Sequence, residues 1–269
     1  LAIIVDTMTL AYRSFYSRYD KDPEHPVAKK TLRYILNILR DYKPDYFALS
    51  FDSSRDNIYR RKLLKEYKAD RKERPQEIED GLNTVREFCE MFDIKILEHS
   101  ENESDDLIGS FVAKFEKNKI FTVITTLDGD LAQLHSKYTK IAKLTRDNIK
   151  ILRTWNQVKD GFKKICVDKP EQVIEHMGLV GDKSDGIKPP VPRVGQKRAL
   201  ELINKYGTIR NMFASEDELP WNIRDYEDDI FRTRNLVKIY KKLEIPNIEH
   251  FRYSNFDYDK LNDEAKVSY

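Results

Sequence analysis

The chain has 269 residues, of which 48 are basic and 46 acidic, so 35% of it is charged while its formal net charge is only +2. No apolar run approaches the roughly 18 residues that a membrane-spanning helix needs, which excludes a protein of that class. The opening apolar run ends at Asp6 and is too short for a signal peptide, so we expect none. A charge balance this even argues, by itself, against a nucleic-acid binder, because such proteins usually carry a basic excess.

Cysteine and histidine give no sign of a zinc site or of a Ser/Cys nucleophile triad. The two cysteines, Cys89 and Cys166, form no CxxC pair, and the five histidines include no HExxH motif. Free cysteines without a disulfide framework favour a reducing compartment.

The first part of the chain alternates predicted strands and helices. Short apolar runs predict strands at residues 1–5, 46–51, 94–97 and 121–126. Apolar residues at helical spacing predict helices at 27–42, 78–92 and 104–117, the last with Ser104 as its N-cap. This order favours an α/β fold with a parallel sheet and helices on both faces.

After about residue 150 the strand signal fades and helices dominate. Helices are predicted at 167–179 and 195–207, with Gly207 as the C-terminal cap of the second, and residues 222–244 predict a charged helix or a helix pair. We therefore expect an α/β catalytic core over residues 1–165 and a helical region over 166–269.

Acidic residues follow the carboxyl ends of four predicted strands. They are Asp6, Asp52, Glu103, Asp105, Asp106, Asp128 and Asp130. Each alone is typical of a turn residue or a helix cap, but ligands of an open parallel sheet bind beyond these strand ends. Carboxylates gathered there would repel each other without a counter-charge, and oxygen ligands without His or Cys suit Mg²⁺. Asp182 and Asp185, in GDKSDG, are either an Asp-rich turn or a supplement to this cluster.

Basic residues are concentrated in two segments. Residues 55–74 hold nine basic and four acidic side chains, and residues 193–210 hold five basic and one acidic. The first could be a solvated helix face, but next to an acidic pocket it suits a phosphodiester substrate. The second contains a turn followed by a helix start, whose backbone N–H groups can hold a phosphate.

Six motifs in series resemble those of the 5′→3′ exonuclease / flap endonuclease family, in particular the phage 5′-nucleases and the nuclease domain of bacterial family-A DNA polymerases. They run from about residue 3 to about residue 210: IVDTMTLAYRSFYS, YKPDYFALSFD, YRRKLLKEYKADR, ENESDDLIGSF, TTLDGDLAQL and LVGDKSDGIKPPVPRVGQKRALELINKYG. The resemblance implies a PIN-like α/β/α parallel sheet with a helical arch at about 53–85. It also implies a C-terminal helical region with a helix–three-turn–helix element, whose hairpin spans about 186–206.

The resemblance further implies a structure-specific 5′-nuclease, active in DNA replication and repair, that hydrolyses DNA phosphodiesters near 5′ ends of branched or nicked duplex. Two Mg²⁺ ions, for which Mn²⁺ can substitute, would do the chemistry, with K⁺ at the hairpin. Branched DNA with a 5′ flap or end would be the partner, and we expect no association with a membrane. We expect a stand-alone monomer in the cytoplasm of a bacterial or phage-infected cell.

Matched position by position, the motifs assign roles to individual residues. Asp6, Asp52, Glu103 and Asp105, with Asp106 adjoining, resemble ligands of the first ion; Asp128, Asp130 and Asp182, with Asp185 beside them, resemble ligands of the second. Lys68 and Arg60 resemble catalytic residues of the arch. The expected DNA-binding residues are Arg61, Lys62, Lys65, Tyr67, Arg71, Arg193, Gly195, Lys197 and Arg198.

Departures from the family pattern fall at a few positions. Thr7, Leu127 and Arg193 stand where the family usually has Gly, Gly186 stands where it has Asn, and one residue is inserted near 188–190. These changes weaken the expectation of a K⁺ site, but the acidic set is complete. Three alternatives stay open: a PIN-like RNase, a non-catalytic DNA-binding scaffold, and an Mg²⁺-dependent phosphatase, which would leave both basic segments unexplained.

Overall fold

The computed structural model describes residues 1–17, 26–52 and 58–253. The strands are β1 (Ala2–Asp6), β2 (Tyr46–Ser50), β3 (Lys95–Leu97), β4 (Thr122–Thr125), β5 (Thr139–Leu144) and β6 (Ile149–Leu152). The helices are α1 (Thr7–Tyr16), α2 (Pro26–Tyr42), α3 (Tyr59–Leu63), α4 (Gln76–Met91), α5 (Ser104–Lys117), α6 (Trp155–Gly161), α7 (Gln172–Val180), α8 (Gln196–Tyr206), α9 (Ile209–Ala214) and α10 (Glu227–Val237). Short 3₁₀ helices cover Asp130–Leu134, Lys183–Asp185, Pro220–Tyr226 and Ile248–Phe251.

The strands form one sheet in the order β3-β2-β1-β4-β5-β6, in which β6 runs antiparallel to β5 and the other pairs are parallel. The carboxyl ends of the central strands are in register, since Asp6 pairs with Ser50, and Val5 pairs with Thr125. Residues that directly follow β1, β2 and β4 therefore emerge at the same edge of the sheet.

Both faces of the sheet are covered, because its central strands are apolar on both sides. In β1, Ile3 and Val5 face a core shared with α2 and α4, whereas Ala2 and Ile4 face a core shared with α5. The predicted α/β/α architecture is confirmed.

The helices after residue 170 build a second core. Leu179 of α7, Ile203 of α8 and Ile230 of α10 are buried together in it. The chain then returns to the sheet, where Ile239 and Phe251 pack in the core on the α5 side. The residues after α10 therefore pack against the sheet although they follow the helical region in sequence, and the boundary at 165 stays a prediction.

Several elements differ from the sequence prediction. The strands β5 and β6 and the helices α1, α6 and α9 were not predicted. Of the helix or helix pair predicted at 222–244, the structure has a 3₁₀ helix followed by α10, which ends at Val237. Ser104 was expected as an N-cap but is the first residue of α5; Glu103 occupies the cap position without a side-chain capping bond.

The segment predicted as a helical arch is helical only in part. From residue 58 onward it consists of α3, turns at 65–70, an extended stretch and the start of α4. Residues 53–57 and 254–269 lie outside the described residues. Within the described residues, no helix has the length and apolar character needed to cross a bilayer.

Candidate active site

A cleft of about 590 Å³ lies at the carboxyl ends of the central strands. Six of the nine predicted acidic ligands line it: Asp6, Asp52, Glu103, Asp105, Asp128 and Asp185. Asp130 and Asp182 line a neighbouring cavity of about 180 Å³, and Gly129 and Lys164 line both. The structure thus brings eight of the nine predicted acids to two adjoining cavities.

Asp6 is fixed by hydrogen bonds from two threonines. It ends β1 and caps α1, where its carboxylate accepts from the Thr9 backbone N–H at 3.1 Å and hydroxyl at 2.5 Å. The Thr126 hydroxyl donates from the end of β4 at 2.8 Å. Burial raises the pKa of Asp6 to about 6, because these hydrogen bonds only partly compensate for lost solvation.

Asp52 and Asp105 are placed by the start of α5. The Asp52 carboxylate accepts from the Ser104 backbone N–H at 2.9 Å, which joins the end of β2 to the first turn of that helix. Burial, followed by the charge of Asp128, raises the pKa of Asp105 well above its ordinary value. A cation bound next to Asp105 would stabilise the charged form of this carboxyl.

Asp130 and Asp182 form a carboxyl pair in the smaller cavity. Burial, with Asp128 nearby, raises the pKa of Asp130 to about 8, so its carboxyl can donate a hydrogen bond to Asp182. Burial also disfavours the charged form of Asp182. Hydrogen bonds from Ser184 outweigh this effect and lower the pKa of Asp182. The Lys164 ammonium lies 3.0 Å from Asp130 and 3.9 Å from Asp128.

The basic segment contacts the cleft through Lys68 and Arg71. The Lys68 ammonium pairs with Glu103 and lies 3.5 Å from Asp185, and the Arg71 guanidinium donates to Asp185 at 2.5 Å. Burial would lower the pKa of Lys68, but the charges of Glu103 and Asp185 outweigh it and raise that pKa. The Tyr67 hydroxyl donates to the same two carboxylates, and Tyr67 is buried. In this structure Tyr67 therefore holds the acids in place, and the expectation that it contacts DNA stays a prediction.

Arg60 and Asp106 are buried against each other, away from the cleft. Both Arg60 terminal nitrogens donate to Asp106, at 2.6 and 2.8 Å, and one donates to Glu103 at 2.5 Å. The guanidinium also donates to the carbonyls of Leu236 and Lys238, both at 2.7 Å. Its five donors are therefore all used within the protein, and the expected roles of Arg60 at the phosphate and of Asp106 at the metal stay predictions.

The other expected DNA-binding residues lie at the surface. Lys62 and Lys65 are exposed and Arg61 is half-buried on the basic segment. On the hairpin, Arg193, Gly195 and Lys197 are exposed and Arg198 is half-buried. Gly195 caps α8 and has open space around it.

Several cleft residues carried no recognised signal in the sequence. Thr9 follows Asp6 by three residues, which is a helix-capping spacing, but Thr126 and Lys164 reach the acids only through tertiary folding. Tyr12 and Arg13 of α1 also line the cleft, and their helix was not predicted.

The donor set fits a hard divalent cation. Among the described residues, no three Asp, Glu, His or Cys side chains converge closely enough to enclose a metal ion. Instead, Lys68, Arg71 and Lys164 form ion pairs with the acids and supply their counter-charge. Burial and neighbouring acids still raise the pKa values of Asp6 and Asp130, an effect that a bound cation would offset, and oxygen donors suit Mg²⁺.

Known proteins share both the sequence and the fold of this chain. The 5′-3′ exonuclease of Mycoplasma pneumoniae is 31% identical over 81% of this chain and 76% of its own length. DNA polymerase I of Bacillus subtilis is 28% identical over 96% of this chain, which spans only 30% of that polymerase.

Solved structures show the same fold. A flap endonuclease of bacteriophage T5, in complex with DNA and metal ions, matches with a TM-score of 0.71 and 21% identity over 88% of both chains. The catalytic core of Rad2 with DNA substrate matches with a TM-score of 0.57 and 16% identity, over 99% of this chain and 86% of that one.

Two family models cover nearly the whole chain. The N-terminal resolvase-like domain of 5′-3′ exonucleases matches residues 1–176, and their C-terminal SAM fold matches residues 168–259. The two matches follow each other in the order of the sheet and the helical region. This chain therefore belongs to the 5′-3′ exonuclease family.

Proposed function

We propose that this chain is a metal-dependent, structure-specific 5′-nuclease that hydrolyses DNA phosphodiesters near 5′ ends of branched or nicked duplex, in DNA replication and repair. The observation that carries the proposal is the cleft in which acids from successive strand ends face the basic residues Lys68 and Arg71. Such a pairing suits a substrate that is itself an anion and is cleaved with the help of cations.

The acids divide into two groups that would hold two Mg²⁺ ions, with Mn²⁺ able to substitute. We assign Asp6, Asp52, Glu103 and Asp105 to one ion, and Asp128, Asp130, Asp182 and Asp185 to the other. When bound, a pair of divalent ions supplies a deprotonated water and stabilises the departing 3′ oxygen. The protein prepares this site by holding Asp6 with Thr9 and Thr126 before a cation arrives.

The basic side chains of the cleft act on the substrate phosphate. Lys68 and Arg71 are paired with carboxylates that divalent ions would bind. Bound ions would therefore leave N–H donors of Lys68 and Arg71 available to the substrate. We assign Lys68 to the scissile phosphate, where its ammonium would stabilise developing negative charge. Arg60 orients Glu103 from behind, and Asp106 holds Arg60 in place.

The hairpin side of the helical region would hold the duplex behind the cleaved end. Arg193, Lys197 and Arg198 bring positive charge to the start of α8, where the first backbone N–H groups have no acceptor within the helix and receive no side-chain cap. We propose that the chain works as a monomer in the cytoplasm. A K⁺ ion at the hairpin stays a prediction.

A cleavage assay with a 5′-labelled flap duplex tests the proposal. We expect cleavage with Mg²⁺ or Mn²⁺, none with EDTA, and loss of nearly all activity in Asp128→Ala plus Asp130→Ala. The control is Glu87→Ala plus Glu90→Ala, which removes the same charge from an exposed part of α4. Unchanged cleavage in the Asp128/Asp130 variant would refute the metal assignment.

The same assay separates the alternatives by substrate. Matched RNA and RNA–DNA hybrid flaps test an RNase, and p-nitrophenyl phosphate tests a small-molecule phosphatase. Binding of flap DNA without cleavage under all metal conditions would indicate a non-catalytic scaffold and contradict the proposal.

A further inference from the structure

Two consecutive residues of the helical region have left-handed backbone conformations. Trp221 has φ 59° and ψ 28°, and Asn222 has φ 53° and ψ 35°, within the 3₁₀ stretch before α10. Asn tolerates this region, but a bulky aromatic residue rarely occupies it. Such strain persists only where the surrounding structure enforces it, and it is often found where a ligand is held.

The residues on both sides of the turn enforce this conformation. Leu219 and Ile223 are buried in the core of the helical region. The Arg224 guanidinium donates to the carbonyls of Phe213, Ser215 and Asp217, at 3.2, 2.7 and 3.1 Å. With both flanks fixed, the chain between them turns the Trp221 side chain outward, where it is 36% exposed.

The indole of Trp221 is turned toward Arg198. The guanidinium carbon of Arg198 lies 4.8 Å from the centre of the Trp221 ring, a distance typical of a cation–π contact. Arg198 also donates to the Arg193 carbonyl at 2.6 Å. The guanidinium is thus held by an aromatic ring and a backbone oxygen, in the first turn of α8.

The loop that carries Trp221 is also fastened to the far end of α8. The Lys205 ammonium lies 2.8 Å from Asp217, and the Tyr206 hydroxyl donates to Asp217 at 2.9 Å. The Trp221–Arg198 contact is therefore made between two anchored elements.

We propose that Trp221 is a positioning residue, which holds the Arg198 guanidinium in place to bind a backbone phosphate of duplex DNA. An arginine side chain loses many conformations when it binds, and one that is already held loses fewer. Guanidinium carries five N–H donors, so the bond to Arg193 leaves donors for a phosphate. This inference rests on the proposed function, because it needs DNA at the hairpin.

The test measures the dissociation constant of a fluorescent flap duplex in EDTA, where binding is separate from cleavage. We expect Trp221→Ala to weaken binding about two- to fivefold, from the size of a cation–π contact, and Trp221→Phe to restore part of the loss. Arg198→Ala should weaken binding at least as much and reduce the slope of log affinity against log salt by about one.

A double variant distinguishes positioning from a general effect on the fold. If Trp221 acts through Arg198, Trp221→Ala should have no further effect on binding in the Arg198→Ala background. Additive losses would overturn the inference. Thermal unfolding of each variant shows whether the helical region is intact, and Trp155→Phe serves as the control for removal of the other tryptophan.

The Trp155→Phe protein also provides a fluorescence signal from an intact Trp221. It retains Trp221 as its single tryptophan, so its fluorescence should change when flap duplex binds. Arg198→Ala in this background should reduce that change. Unchanged fluorescence on saturation with DNA would overturn the inference even if Trp221→Ala failed to fold.

These outcomes are distinct from failure of the proposed function. If the wild-type protein binds and cleaves flap DNA while Trp221→Ala binds equally well, only the role of Trp221 is wrong. If the wild-type protein neither binds nor cleaves DNA, the proposed function is wrong and this inference fails with it.

Discussion

Lys68 is held in the cleft by its backbone as well as its side chain. Its φ of 54° is left-handed, and its backbone N–H donates to the Asp185 carbonyl at 2.9 Å. The Lys68 ammonium pairs with Glu103 from this position. A strained residue fixed at a charged site is characteristic of a functional role.

We predict that Lys68→Ala lowers single-turnover cleavage by roughly 100- to 1,000-fold, because one preorganised donor to the phosphate is lost. DNA affinity should change far less. The control is Lys72→Ala, which removes an exposed charge from the same segment. Equal losses of affinity and rate in Lys68→Ala would contradict a role in the transition state.

The buried acids make the stability of the metal-free protein depend on pH. The pKa is raised from an ordinary 3.8 to about 6 for Asp6 and to about 8 for Asp130, so the folded state binds protons that the unfolded state releases. Folding is therefore favoured at low pH, and this contribution is lost as pH rises from about 4 to about 8.

Chemical denaturation in EDTA should show a higher free energy of unfolding at pH 5.5 than at pH 8. Asp130→Asn should reduce this dependence, and Mg²⁺ at pH 8 should restore stability by neutralising the acids. Glu103 titrates outside this range, since Lys68 and Arg60 outweigh its burial and lower its pKa. Stability that rises from pH 5.5 to 8 in EDTA would contradict the prediction.

At the scale of elements, the glycine before the Asp182 turn fixes the second acidic group. Gly181 has φ 70°, and an added methyl group would overlap the carbonyl oxygen of Ile187. That oxygen accepts from the Asp182 N–H at 2.9 Å, so it cannot move without disturbing the turn. Gly207, which ends α8, also has a positive φ but nothing within 4 Å.

We predict that Gly181→Ala costs at least about 3 kcal/mol in unfolding free energy and lowers cleavage, whereas Gly207→Ala costs about 1 kcal/mol with cleavage retained. The difference isolates the steric clash, because both substitutions place Ala at a positive φ. Urea denaturation and the flap assay measure the two effects. Equal costs would show that the packing around Gly181 can yield.

Sequence patterns revealed the elements that bury apolar runs and missed those that do not. The strands β1, β2 and β4 are continuous apolar runs, and the acids at their ends follow from parallel topology. The strand β5 carries Lys140 on one face and Lys143 on the other, which interrupts its apolar pattern on both faces. The helix α1 begins directly after Asp6, without a loop to mark it. The contacts of Arg60 and Lys164 join residues far apart in the chain, which no local pattern reveals.

At the scale of the whole molecule, the small net charge conceals a separation of charges. Nine of the 46 acids were assigned to the site, and without them the 48 basic residues would exceed the acids by 11. The structure reduces this excess, because Arg60, Lys68, Arg71 and Lys164 are paired with those acids. Two bound divalent cations would neutralise some of these acids, so that part of the basic charge paired with them could bind the substrate.

The buried Arg60 has a thermodynamic consequence for the two regions. One guanidinium joins the basic segment, the start of α5 through Glu103 and Asp106, and the end of α10 through Leu236. We expect one calorimetric transition with equal calorimetric and van't Hoff enthalpies for the wild-type protein.

Arg60→Ala should cost about 3–5 kcal/mol, because the Asp106 carboxylate would stay buried without the guanidinium that neutralises it and Glu103 would keep only Lys68 as a counter-charge, and should broaden or split the transition. Lys62→Ala, an exposed neighbour on α3, should leave it unchanged. Two transitions in the wild-type protein would contradict this coupling. Although two family domains divide the sequence, we expect Arg60 to join them into a single cooperative unit, in which melting of the helical region dismantles the acidic cleft.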